Sequence, residues 1–166
     1  MLKLKKHNIY NVLLSTLMLF SVSCARINIL AVHDSLYVDS AFDKIYSDFV
    51  TIGEHYGTKM PKTGAILVDD DLRSKPQVLG SCIHLGNTRL ITISKSFWMK
   101  ASPLEREETL FHELGHCILN RPHCFKKNEL NEPVSIMYPS ILNKNLYERN
   151  LQKFIHELFR RRKDCP

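Results

Sequence analysis

Apolar residues recur at helical spacing in three stretches of this chain. In "DSAFDKIYSDFVTIGEHYG", Phe42, Ile45, Phe49, Ile52 and Tyr56 share one face. Asp39 or Ser40 is placed to cap the start of that helix, and Gly57 follows its end. The clearest helix is "ASPLEREETLFHELGHCILN", with Leu104, Leu110, Phe111, Leu114, Ile118 and Leu119 as its apolar positions. Ser102 stands at the N-cap, Pro103 at the first helical position and Glu105 three residues after the cap, which makes a capping box. Glu105, Glu107 and Glu108 suit the positive end of the helix dipole. Asn120 is a candidate left-handed cap, and Pro122 prevents continuation. The third stretch, "NLYERNLQKFIHELFRRRKDC", puts Leu151, Phe154, Ile155 and Leu158 on one face. The basic run Arg160–Lys163 reads as its solvated C-terminal end.

The remaining pattern is β-like or turn-like. "GAILVDD" reads as a short strand. "HLGNTRLITIS" has Gly-Asn between two strand arms, the second at about 89–94. Phe97 and Trp98, just after it, read as core residues where sheet meets helix. Residues 121–134 form a polar loop, and "SIMYPS" turns at Pro139. The expected architecture is one α+β domain: a short twisted mixed sheet, a long central helix and flanking helices. No internal repeat or low-complexity segment interrupts it.

The N-terminus changes the picture. "MLKLKKHNIYNVLLSTLMLFSVSCARINIL" has a basic stretch and then an apolar run from Val12 to Val22, the layout of a secretory signal peptide over residues 1–23. That run is too short for a comfortable transmembrane span. "FSVSC" resembles a bacterial lipobox, although Ser21 stands where an aliphatic residue is typical. The resemblance implies a lipid-bearing Cys24 and a mature domain over 24–166, held to a membrane by its acyl chains. The alternative is a simple signal peptide and a soluble periplasmic or secreted protein. "ARINILAV", next along, is a short strand or a tether. The formal charge of +6 falls to +3 without Lys3, Lys5 and Lys6, so the basic balance is no nucleic-acid signal.

An exported chain meets an oxidising compartment, and Cys82, Cys117, Cys124 and Cys165 are even in number, which favours disulfides. Three pairings are open. Tying Cys117 and Cys124 to Cys82 and Cys165 would brace the region around the central helix. The rival reading makes Cys117 or Cys124 a thiolate metal ligand.

The candidate chemistry lies in "FHELGHCILNRPHC". His112 and His116 are four residues apart on a helix, so both imidazoles can converge on one metal ion. Glu113 points to an adjacent side, suited to take a proton from a metal-activated water as general base. His123 follows at the end of the helix as third ligand; Glu129, Glu132, Asp164 and Cys124 compete for that place. His7, His33, His55, His84 and His156 have no partner spacing and read as ordinary histidines.

"HELGHCILNRPH" followed by "SIMYP" resembles the metzincin zinc peptidases, whose pattern is His-Glu-x-x-His-x-x-Gly-x-x-His and then a Met-turn. The same segments also resemble those of bacterial exported metallopeptidases. The resemblance covers about residues 102–140. It implies a zincin-like fold, one catalytic zinc ion held by His112, His116 and His123, and Met137 in a turn beneath the metal. It implies a peptide or protein substrate added as a strand to an edge strand, for which 89–94 is available. Tyr138, directly after the methionine, is wall or core. One departure stands out. The family's glycine falls at Leu119 and its third histidine at Pro122, whereas here Asn120 and His123 are each displaced by one. The helix is expected to run one residue further before Asn120 turns left-handed, which asparagine tolerates. Asn120 to His123 then has the family's Gly-to-His length.

The function expected is zinc-dependent peptide hydrolysis outside the cytoplasm. The alternatives are an inactive, zinc-stabilised exported lipoprotein that binds a partner, and a zinc amidase acting on cell-wall peptides.

Overall fold

Helix starts follow the capping chemistry of the sequence. The computed structural model describes residues 36–60, 64–69, 77–86, 88–160 and 165, all within the unit Asp34–Pro166. The signal peptide, Cys24, "ARINILAV", His7, His33, Arg161–Lys163 and Asp164 lie outside the described residues. Asp39 caps a single 3-10 turn, Ser40–Phe42, through a 3.0 Å bond from the Ala41 N–H to its carboxylate. Helix α1 follows over Asp43–His55, and Gly57 adopts φ 73° beyond its end. After the strands come a short helix α2, Lys95–Trp98, and the central helix α3, Pro103–Cys117. The capping box closes both ways: Glu105 Oε2 accepts from the Ser102 N–H at 2.7 Å, and Ser102 Oγ from the Glu105 N–H at 3.4 Å. Helix α4 is Lys144–Phe159, capped by the Asn143 side chain.

Among the described residues four strands form one mixed sheet in the order β1-β2-β4-β3. They are β1 Leu36–Val38, β2 Gly64–Asp69, β3 Gly80–Leu85 and β4 Thr88–Ser94. β1 and β2 are parallel, as are β2 and β4, whereas β3 runs antiparallel to β4. Helix α1 supplies the long connection that parallel neighbours need between β1 and β2. The hairpin β3–β4 turns at Gly86, φ 60°. The fold is therefore α+β with a small mixed sheet.

One expectation changes. The strand at 89–94 is not an edge. β4 is hydrogen-bonded on both sides, with Ile91 opposite Ile66 of β2 and Cys82 of β3. Among the described residues the edges are β1 and β3, and on the side of β4 the edge is β3, since a hairpin arm turning back on β4 occupies the place beside it. Three-residue β1 was also unforeseen, being too short for an alternating pattern to show.

Helix α3 lies across β3 and β4. Its apolar side meets Ile91 and Ile93 from the sheet and Phe49 from α1, all buried with Leu110, Phe111 and Leu114. Phe49 and Phe111 pack edge-on at 5.2 Å, and Trp98 packs edge-on against Phe42 at 4.5 Å. Trp98 is thus a core residue. Two disulfides are present among the described residues. Cys82–Cys117 staples β3 to the end of α3, and Cys124–Cys165 ties the loop after α3 to the chain beyond α4. Among the described residues no helix is long and apolar enough to cross a membrane.

Candidate metal centre

Four-residue spacing brings His112 and His116 together, and the chain reversal after α3 brings His123 to them. Regular helical bonding ends with the Ile118 N–H on Leu114 O at 2.8 Å. Asn120 then adopts φ 51°, and the Arg121 N–H reaches back over it to Gly115 O at 3.0 Å. Asn120 is therefore the left-handed reversal residue. His112 Nε2 lies 3.0 Å from His116 Nε2 and 3.3 Å from His123 Nε2. All three ligand atoms fall within 4.8 Å of one another.

The other ring nitrogens are engaged. His112 Nδ1 donates to Ile136 O at 2.8 Å, and His116 Nδ1 donates to Arg121 O at 2.5 Å. Both bonds leave the Nε2 lone pair facing its neighbours, the arrangement that metal-ligating histidines show. Two Zn–N bonds of about 2.0–2.1 Å at a tetrahedral angle put their nitrogens about 3.3 Å apart. Neutral imidazoles that point lone pairs at one another repel, and a cation or a shared proton between them removes that repulsion. Burial, reinforced by the neighbouring His116 and His123, pushes His112 down to about 4 against the pull of its Ile136 bond. Burial also lowers His116. The donor set thus fits zinc.

Glu113 is 7% exposed and lines the cleft with His112, His116 and His123. Burial pushes its carboxyl up to about 7. Its space exists because residue 80 is glycine. A Cβ at Gly80 would lie 2.7 Å from Glu113 Cγ and 2.8 Å from Oε1. Edge strand β3 therefore passes directly beside the carboxyl. The only sequence signal was a glycine opening a strand, which can mark a close approach.

Met137 is fully buried, and its sulfur lies against Gly115, where a Cβ would stand 2.6 Å from Sδ. The methionine thus sits under the histidine-bearing helix. Tyr138 is a half-buried wall of the cleft.

A second set of residues, missed in the sequence, holds this loop. Arg121 is 2% exposed and donates through Nη1 to Glu157 O at 2.8 Å and Leu158 O at 2.7 Å. Its Nη2 pairs with Glu157 Oε1. Glu157 Oε2 accepts from Ser135 Oγ at 2.5 Å, and Ser135 Oγ accepts from the Met137 N–H at 3.0 Å. Arg121 caps the last carbonyls of α4 while its own carbonyl holds His116. Nothing local marks Arg121 or Glu157, 36 residues apart.

Three rival ligands are engaged elsewhere, and another, Asp164, lies outside the described residues. Cys124 and Cys117 are in disulfides, so neither offers a thiolate. Glu132 pairs with Arg149 at 2.9 Å. Glu129 is exposed and outside the histidine cluster. Among the described residues a further grouping, Cys82, His84 and Cys117, has its sulfurs tied in the first disulfide.

No family model, no curated protein and no solved structure matches the chain.

Proposed function

We propose that this protein is a zinc-dependent peptidase of the metzincin type, with a zincin-like fold, acting outside the cytoplasm. The observation that carries the reading is the convergence of three imidazole Nε2 atoms beside a buried carboxyl in an open cleft. The two disulfides support an oxidising compartment, and the N-terminal pattern supports export with lipidation at Cys24.

A bound zinc ion would be held by His112, His116 and His123 and would supply Lewis-acid activation of a water and of the substrate carbonyl. Ile136 O and Arg121 O hold the first two rings in register. Glu113 accepts the proton that the attacking water loses as the new C–O bond forms. It then delivers that proton to the amide nitrogen as the C–N bond breaks, leaving a carboxylic acid and an amine. Burial raises the Glu113 carboxyl in the metal-free site, and a zinc ion held beside it would pull it back toward the ionised form that a general base needs. Among the described residues no strand pairs with the outer side of β3, which runs along the same cleft through Gly80, Ser81 and Cys82 and is placed to pair with an extended peptide.

The test is metal analysis with cleavage of a mixed-peptide substrate. Wild type is expected to bind one zinc per chain and to cut. Glu113→Gln should keep the metal and lose about 10²–10⁴-fold in rate. His123→Ala should lose metal. Full zinc retention in His123→Ala sinks the ligand assignment, and undiminished cleavage by Glu113→Gln sinks the mechanism.

A further inference from the structure

The turn of α3 that precedes the histidines also faces the cleft. Glu108 and Thr109 stand four residues before His112 and Glu113, one turn or about 5.4 Å along the same face. They open into a cavity of about 340 Å³ that is continuous with His112, Glu113 and His123. Its walls include Val78 and Leu79 before β3, and Tyr138 and Ile141 after Met137.

Both polar groups are buried, Glu108 at 4% and Thr109 at 6% exposure. Thr109 Oγ1 has no hydrogen-bond partner. Glu108 Oε1 accepts from the Leu142 N–H at 2.6 Å. Among the described residues no lysine or arginine pairs with Glu108, and burial raises its carboxyl to about 7. Buried Glu157, by contrast, has both its oxygens matched. A buried polar group without a partner costs roughly 1–3 kcal/mol. Thr109 Oγ1 is such a group, and the Glu108 carboxyl beside it holds the Leu142 N–H but has no counter-charge, which an incoming cationic head would supply. Apolar walls beside acceptor groups match an amphipathic side chain, with methylenes along the walls and its charged head at the acceptors.

We propose that this cavity receives the substrate side chain flanking the cleaved bond and selects one with an apolar stem and a cationic head, lysine or arginine. The proposal rests on the peptidase reading for the word substrate, but the cavity can be tested without turnover. An acidic side chain would meet the Glu108 carboxyl. A purely apolar one would leave Glu108 and Thr109 unmatched, and sites built to hydrogen-bond discriminate strongly against analogues that lack the group.

Two measurements decide it. Zinc-loaded protein is given a peptide library, and the cut sites are read by mass spectrometry. Peptide pairs that differ only as lysine or norleucine at the flanking position are then compared. Wild type is expected to favour lysine by about tenfold or more in kcat/KM. Glu108→Gln, which keeps an oxygen for Leu142, and Thr109→Val, which keeps shape, should each collapse that ratio without lowering the melting temperature. In parallel, Glu113→Gln protein is titrated with the same fluorescent pairs, and the added Glu108→Gln change should abolish the lysine preference in binding. Equal binding of lysine and norleucine peptides overturns the proposal, as does a lysine preference that survives Glu108→Gln. If wild type cuts nothing while the binding preference holds, the peptidase reading fails and the cavity assignment stands.

Discussion

Glu113 and Glu157 are both buried glutamates on helices packed in one core, and they differ in how their oxygens are matched. Glu157 sits on α4 with Arg121 on one oxygen and Ser135 on the other. Glu113 sits on α3 beside the histidines, where burial alone dominates its environment and raises its pKa. The comparison extends to their surroundings. On the α4 side, the charged groups close on one another and on backbone carbonyls, with Arg121 Nε alone left over among their described polar atoms. On the cleft side, three imidazoles, Glu113, Glu108 and Thr109 gather without counter-charges. Buried polar groups that satisfy each other specify structure, while buried groups left short of partners are held ready for something that arrives.

The largest break should come on the matched side. Arg121→Ala leaves Glu157 buried and unpaired, and should cost about 3–5 kcal/mol in denaturant unfolding under oxidising conditions. The same change should weaken metal binding, because the Arg121 backbone that holds His116 loses its anchor on α4. Unchanged stability would mean that the network is ornamental.

Next in size is a pH effect on the unmatched side. Desolvation raises Glu108 from 4.5 to about 7, opposed by the Leu142 bond and aided by the charge of Glu105. Below pH 4.5 the carboxyl is neutral in both the folded and unfolded chain. Between 4.5 and 7 the unfolded chain ionises first, so the fold loses stability as pH rises, and the loss is complete above 7. Wild type should therefore lose roughly 3 kcal/mol relative to Glu108→Gln over that window. Parallel stability–pH curves for the two proteins would remove the desolvated carboxyl from the account.

Gly80→Ala sharpens the comparison from the sheet. The added Cβ meets the movable Glu113 side chain and Ile93 Cδ1, so the folding cost should stay within about 1–3 kcal/mol. Turnover should fall up to about 100-fold, since a shift of about 1 Å in a reacting group can cost that much. Zinc content should hold. Metal loss would show that β3 supports the histidines rather than the carboxyl alone.

The smallest effect belongs to the reversal between the two regions. Asn120→Ala places a Cβ residue at φ 51° without asparagine's local hydrogen bonding, and should cost about 1–2 kcal/mol. Asn120→Gly should recover most of it, as seen by thermal unfolding. Equal losses for both variants would assign the cost to the asparagine side chain rather than to the backbone angle.

Much of the cleft side was legible along the chain. The capping box at Ser102 and Glu105, the four-residue spacing of His112 and His116, and the left-handed turn at Asn120 are local rules, each acting within about one helical turn. The displaced His123 was legible for the same reason, once Asn120 is recognised as the residue that reverses the chain. The matched side was not. Nothing within a few residues of Arg121, Glu157 or Gly80 marks the distant group that each one meets.

The sequence by itself determined where α3 begins, which of its faces bears the chemistry and where the chain turns back toward His123, because those outcomes depend on neighbours a few residues apart. Only the tertiary structure decided that β3 and not β4 is the edge beside the cleft. It alone decided which cysteines pair, that Arg121 and Glu157 meet in a buried ion pair, and that Glu108 is left without a counter-charge and Thr109 Oγ1 without a partner. Those outcomes depend on which distant groups arrive in the same water-poor volume, and burial is what turns an ordinary glutamate into either a matched anchor or an unmatched acceptor.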